Sequence, residues 1–247
     1  MPLIASGATD IGRKRKTNQD AICFNVEKHY FVVADGMGGH NGGDIASQMA
    51  TDHIPKFLLG HWNLDPTLLV SKSIQETNKT IKDFAEKNPE LQGMGTTVVS
   101  FLFRGPYLYV GNVGDSRAYL VNKQRLYQLS RDHSLVQEKL NYGIYNREQA
   151  ALDPQKNVLV KTVGFEDDIE VDVFTYKVNK NDIFMICSDG LHGKVSDEDI
   201  VYIINKNIPE PAKVTQPDVD RCVKALIQQA NDNGGNDNIS VILVVAI

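Results

Sequence analysis

Four aspartates in this 247-residue chain stand where a short apolar run gives way to a turn. Asp35 follows FVVA and opens a loop containing Gly36, Gly38, Gly39, Gly42 and Gly43. Asp115 follows YLYVGNV, Asp189 follows DIFMICS, and Asp237 lies between Gly234-Gly235 and the run SVILVV. A strand that ends in a carboxylate fixes a negative charge at the rim of a sheet. The small or turn residues beside these acids (Gly36, Ser116, Gly190 and Asn238) let backbone and ligand approach one another. A lone Asp-Gly after a strand is ordinary turn chemistry. Its repetition describes acids able to share one opening if their strands are neighbours. Packed, ionised carboxylates repel one another unless a cation neutralises them. An oxygen-only donor set without His or Cys selects a hard ion, Mg²⁺, Mn²⁺ or Ca²⁺. Spacing alone takes the inference as far as a divalent hard-ion site.

The elements that must position these acids follow from periodicity. Residues 4–9 and 21–26 read as strands flanking the basic run Arg13, Lys14, Arg15, Lys16, and residues 31–34 as a short buried strand. Asp44 is the expected N-cap of a helix through Ile45, Met49 and Ile54 that stops at Pro55 or Gly60. Asp65-Pro66 opens a second helix with an apolar stripe of Leu69, Ile74, Ile81 and Phe84. Residues 94–129 form an antiparallel meander rich in β-branched and aromatic side chains. The stretch from 131 to about 168 is an excursion from the sheet: a helix over 134–142, then a shorter one with Asn146 and Gln149 spaced as a capping box and stopped by Pro154. Strands are expected over 169–176, 182–188 and 240–247, with helices over 197–205 and 220–231. Pro209, Pro211 and Pro217 mark a loop between those two helices.

Composition bounds the partners. The length suits one compact domain, 1–247, with an insertion. A formal net charge of -5 gives no general attraction to nucleic acid. Cys23, Cys187 and Cys222 are odd in number and widely spaced, as expected of reduced thiols in a cytoplasmic protein. Neither an export signal nor a membrane-spanning run is expected, so the sequons at Asn78 and Asn238 carry no meaning. A monomer is the default state.

Six motifs then occur in order: RKTNQD from Arg15, DGMGGH from Asp35, GMGTT from Gly93, GDSR from Gly114, SDGL from Ser188 and NDNIS from Asn236. Over nearly the whole chain this set resembles the metal-dependent serine/threonine protein phosphatases of type 2C in their compact bacterial form. The resemblance implies an α+β fold, a four-layer αββα sandwich of two antiparallel sheets between helix pairs, with 131–168 as an inserted flap. It implies hydrolysis of phosphoserine and phosphothreonine by direct attack of a water bridging two Mn²⁺ or Mg²⁺ ions. Asp35 would bridge the ions, the Gly36 carbonyl would help hold one, and Asp189 and Asp237 would ligate the other. Asp115 with Asp189 resembles a third, looser site. Asp20 would support the centre from behind, and Arg15 would grip the substrate phosphate through its planar fork. Phosphorylated proteins, including a serine/threonine protein kinase, are the implied partners. Two other readings share these residues: a phosphatase-like module that binds without turnover, and a small-molecule phosphomonoesterase.

The chain departs from the family at two places. Met37 stands where many eukaryotic members have the acid histidine, which leaves His40 or water as the proton donor. Gln19 stands where many members have glutamate, removing a charge near one ion. The remaining residues take ordinary roles. His133 and His192 read as surface loop residues, Cys187 as strand packing, Thr96 and Thr97 as hydrogen-bonding support, Tyr107 and Tyr109 as sheet surface, and Trp62 as a cap on the core.

Overall fold

The computed structural model describes residues 1–37, 42–122 and 124–247. Two antiparallel sheets face each other. One has the strand order β1-β11-β10-β7-β8, built from β1 (Leu3–Asp10), β7 (Arg117–Asn122), β8 (Arg125–Gln128), β10 (Ile183–Cys187) and β11 (Ile239–Ala246). The other has the order β2-β3-β5-β6-β9, built from β2 (Asp20–Asn25), β3 (Tyr30–Met37), β5 (Val98–Arg104), β6 (Tyr107–Val113) and β9 (Asp172–Lys177), with the short β4 (Gly95–Thr96) added to β3. Helices α1 (Gly43–Gly60) and α2 (Pro66–Lys87) cover the second sheet. The first is covered by α5 (Asp189–His192), α6 (Asp197–Asn207) and α7 (Gln216–Asp232). This is the expected four-layer αββα sandwich.

Strand alternation explains the layering. On β3, Phe31 and Val33 point between the sheets, while Val32 and Ala34 face α1 and α2. On β11, Ile242, Val244 and Ala246 enter the central layer, while Val241, Leu243 and Val245 face α6 and α7. All eight residues of β11 are buried, which is why, Ser240 apart, its sequence is apolar on both faces instead of alternating. Phe101, Phe103 and Phe184 lock the central layer edge to face, with ring centroids 5.6 to 6.1 Å apart.

Several boundaries differ from expectation for local reasons. Gly42, at φ +93, precedes α1, and Asp44 lies in its first turn instead of capping it. Pro55 is accommodated within that helix, which runs on to Gly60. Phe84 is 39 % exposed, and the buried stripe of α2 ends on Ala85 instead. Helix α7 begins at Gln216, earlier than 220: Pro217 occupies its first turn, and the Asp218 carboxylate accepts from the Thr215 N–H at 3.0 Å. Strand β9 starts at Asp172. Trp62 is largely exposed beneath the Arg104 guanidinium, 5.2 Å from the ring centroid, and not a cap on the core.

The flap leaves the sandwich after β8. It holds α3 (Leu135–Asn141), capped by the Ser134 hydroxyl, and α4 (Arg147–Leu152), whose Asn146–Gln149 capping box forms in both directions at 2.9 Å. Its two roots are tied together, with the Leu135 N–H donating to the Val158 carbonyl and the Val160 N–H to the His133 carbonyl, both at 2.9 Å.

Candidate metal-dependent active site

The four acids identified from sequence arrive at one place because the strands that end in them are neighbours. Asp35 ends the apolar part of β3. Asp189 starts α5 directly after β10, Asp237 precedes β11, which pairs with β10, and Asp115 lies in the turn between β6 and β7. A cleft of about 340 Å³ is lined by Arg15, Asp35, Gly36, Asp115, Asp189 and Asp237. The flap reaches its edge through Asn157 and Leu159. A second chamber of about 560 Å³ lies under the flap and shares Asp115, Asp189 and Asp237 with the cleft.

Close backbone approach fixes the acids. A Cβ on Gly190 would lie 1.9 Å from the Asn238 carbonyl oxygen, so only glycine lets the start of α5 pack against the turn that carries Asp237. A Cβ on Gly36 would lie 2.0 Å from the Gly43 carbonyl oxygen, which brings the start of α1 against β3. Asn238 braces the same turn: its Oδ1 accepts from the Gln19 N–H at 2.9 Å, and its Nδ2 donates to the Ile11 and Thr17 carbonyls at 3.0 Å.

Asp20 sits directly across the β2–β3 ladder from Asp35. It is buried at 7 % exposure, and its Oδ2 accepts from Ser188 Oγ at 2.7 Å and Ser240 Oγ at 2.6 Å. Its Oδ1 has no hydrogen-bond partner among the described residues. Asp35 is held by Thr97, whose Oγ1 accepts from the Asp35 N–H at 3.1 Å and whose N–H donates to the Asp35 carbonyl at 2.8 Å. The Arg15 guanidinium donates to Asp237 Oδ2 at 2.7 Å and retains further N–H donors beyond that pair.

Burial and mutual repulsion oppose ionisation of Asp35, Asp189, Asp115 and Asp20. Burial, then Asp20 and Asp189, push the Asp35 carboxyl well above the usual carboxylate range. Asp189 is pushed up to about 7 by burial and by Asp115 and Asp237, and Asp115 to about 6 by burial and Asp132. Asp20 rises to about 6 through burial, against the lowering effect of its two serine donors. Such a set gains most from a hard cation, and the donors are all oxygen. Among the described residues, no three His, Cys, Asp or Glu side chains converge closely enough to cage an ion unaided. The cleft therefore fits Mg²⁺- or Mn²⁺-like ions that keep several waters, and Asp20 stands across the β2–β3 ladder from Asp35 beside it.

Of the two histidines read as surface loop residues, His133 is buried at 6 % exposure, while His192 is half-buried and sits in α5 instead of a loop, its Nε2 donating to the Asp115 carbonyl at 3.0 Å. Burial, then Arg117, hold the His192 imidazole well below its ordinary pKa. The signal for His192 was its position three residues after Asp189, one helical turn on. Nothing local announced His133, and although Ser188 and Ser240 stand inside the motifs SDGL and NDNIS, nothing there named Asp20 as their shared partner. His40 lies outside the described residues, while Met37 lies on β3 beside the cleft. Cys187 is buried in β10 and Tyr107 lies on the sheet surface, as expected, whereas Tyr109 is partly buried against the core beneath α1 and α2.

The protein phosphatase 2C family model matches residues 9–243, and the chain belongs to that family. It is 39 % identical to the serine/threonine phosphatase stp of Listeria innocua over 249 residues, covering 96 % of this chain and 93 % of the relative. It is 33 % identical to the protein phosphatase PhpP of Streptococcus pneumoniae, covering 96 % and 94 %. The crystal structure of the Mycobacterium tuberculosis serine/threonine phosphatase PstP/Ppp superposes with a TM-score of 0.87 at 29 % identity, covering 99 % of this chain and 98 % of that one. The PstP catalytic domain in complex with two manganese ions superposes with a TM-score of 0.84 at 28 % identity, covering 99 % and 100 %.

Proposed function

We propose that residues 1–247 form a single catalytic domain in which Asp35, the Gly36 carbonyl, Asp189 and Asp237 hold two divalent ions, Mn²⁺ or Mg²⁺. Asp115 with Asp189 offers a third, looser position. The chain is a metal-dependent serine/threonine phosphatase. The observation that supports the site assignment best is the shared cleft: acids from four separate stretches of chain line one space of about 340 Å³, with an arginine at its rim. When bound, such ions activate water for direct attack on a phosphomonoester and neutralise charge on the phosphoryl oxygens.

The protein's own groups supply the rest. Asp20, fixed by Ser188 and Ser240, keeps Asp35 from turning away from the cleft. Arg15 offers its unused donors to the phosphate and, by leaving Asp237, frees that carboxylate for an ion. The leaving alkoxide needs a proton, for which His40 or solvent is available. Phosphorylated proteins, a serine/threonine protein kinase among them, are the proposed substrates, and the cytoplasm the proposed location. No helix among the described residues is long and apolar enough to cross a membrane.

The test is turnover of a phosphothreonine peptide with Mn²⁺ or Mg²⁺, compared with phosphotyrosine and nucleotide substrates and with chelator present. Hydrolysis of the phosphothreonine peptide that chelator abolishes is expected. Binding of the peptide without turnover of any phosphomonoester would overturn the reading in favour of a binding module. Selective turnover of nucleotides would overturn it in favour of a small-molecule enzyme.

A further inference from the structure

We infer that His133 is a positioning residue that fixes the loop carrying Asp115 to both roots of the flap. Its backbone N–H donates to the Gly114 carbonyl at 2.9 Å, while its ring Nδ1 accepts from the Gly114 N–H at 3.2 Å. One residue thus holds both polar groups of the glycine that precedes Asp115. The His133 carbonyl accepts from the Val160 N–H at the far root of the flap. Behind it, Asn112 Nδ2 donates to the Arg131 carbonyl at 2.7 Å, closing the near root.

The contacts continue to the floor of the cleft. Gly114 packs against Thr97, whose Oγ1 lies 2.8 Å from Ser116 Oγ and accepts from the Asp35 N–H. Val160, His133, Gly114, Thr97 and Asp35 are thus joined by successive hydrogen bonds and one close packing contact. Acceptance at Nδ1 requires the neutral ring with its proton on Nε2, and that nitrogen lies 3.3 Å from Asp172 Oδ2 on β9. Burial keeps the ring neutral by holding its pKa below the ordinary value. An exposed histidine with only the Asp172 pairing would have no hold on the site. The functional end is Nδ1.

The two ends can be separated. Asparagine places Oδ1 close to where histidine has Nδ1, and glutamine reaches only the Nε2 end. The experiment compares His133→Ala, His133→Asn, His133→Gln and Asp172→Asn in the full chain. It measures amide hydrogen exchange around Gly114 and Val160 without added metal, and kcat and KM on a phosphothreonine peptide with Mn²⁺. His133→Ala and His133→Gln are expected to speed exchange at both segments about tenfold, the equivalent of one lost buried hydrogen bond. The same variants lower kcat about tenfold with KM within twofold. His133→Asn restores both measures, and Asp172→Asn stays near wild type. The inference is overturned if Asn performs no better than Gln, if exchange at Gly114 does not respond, or if Asp172→Asn alone reproduces the loss. The Asn and Gln pair suffices should the alanine variant not fold. The kinetic arm rests on the hydrolytic reading of the cleft and the exchange arm does not, so wild-type protein without turnover would sink that reading while exchange still decides the role of His133.

Discussion

At the floor of the cleft Asp20 is 7 % exposed and gripped by two serine hydroxyls, whereas on the flap Leu152 is 84 % exposed and Tyr142 79 %. The floor is fixed by ladders, close glycine contacts and side chains from four separate stretches of chain. The flap is fixed by its own short helices, by the Lys139–Asp153 pair and by its roots. In the proposed site, chemistry that needs ions at set positions falls on strand ends that cannot move without breaking the sandwich. The part able to meet differently shaped proteins is placed where few buried contacts resist motion.

The widest gap between the two regions lies in what one carboxylate contributes. Asp35→Asn is expected to lower phosphopeptide turnover by at least about 10²-fold. It should leave the melting temperature of the metal-free protein unchanged or higher, because it removes an acid whose ionisation burial and the neighbouring carboxylates oppose in the folded state. Turnover assays beside calorimetry check this. A fall of several degrees would mean that Asp35 holds the fold together and that the floor is not a site built against stability.

Asp20 sharpens the point from the other side. Replacing both Ser188 and Ser240 with alanine strips Oδ2 of its donors in a buried position. The expected cost is about 2 kcal/mol of folding stability, read from denaturant titration. A change under about 0.5 kcal/mol would show the carboxylate to be solvated and the floor no firmer than the surface.

Much of the floor was legible in the sequence, and the reason is physical. Asp35, Asp115, Asp189 and Asp237 each end or precede an apolar run, so local pattern alone placed them at strand ends. What brings them together is strand order, and that came from the ordered motifs instead of from spacing. The roles of Ser188, Ser240 and His133 were not legible: the two serines stand in the SDGL and NDNIS motifs, but nothing there points to Asp20, 168 and 220 residues away, and a histidine after an aspartate says nothing of Gly114. The flap showed its helices through the Asn146–Gln149 capping box. Its ties to the cleft stayed hidden because they run from the His133 ring, the His133 backbone and the Asn112 amide to backbone groups of Gly114, Val160 and Arg131, which carry no mark in the sequence.

Acid should separate the flap's root from its interior. The His133 imidazole is held below its ordinary pKa by burial, with Lys161 lowering it and Asp172 and Asp132 opposing. A base whose folded value is depressed must charge to protonate, so its contribution is present above the unfolded value of about 6.5 and is lost as pH falls below it. Asp153 is held low by Lys139 and the Gln155 N–H, so that staple lasts until pH falls below the unfolded carboxylate value of about 3.9. Hydrogen exchange between pH 7 and 5 should therefore loosen Gly114 and Val160 first and leave α3 and α4 protected. Simultaneous loss in both places would erase the distinction between root and interior.

The smallest effect is expected at Leu152. Its side chain contributes almost no burial, so Leu152→Ser should change folding stability by no more than about 0.5 kcal/mol and leave turnover of a small aryl phosphate untouched. The phosphopeptide arm carries the information. If the flap meets protein substrates through exposed apolar side chains, KM for a phosphoprotein rises while the aryl phosphate is unaffected. If both substrates slow together, the flap acts on the cleft itself, and Leu152 belongs with His133 among the residues that set its shape.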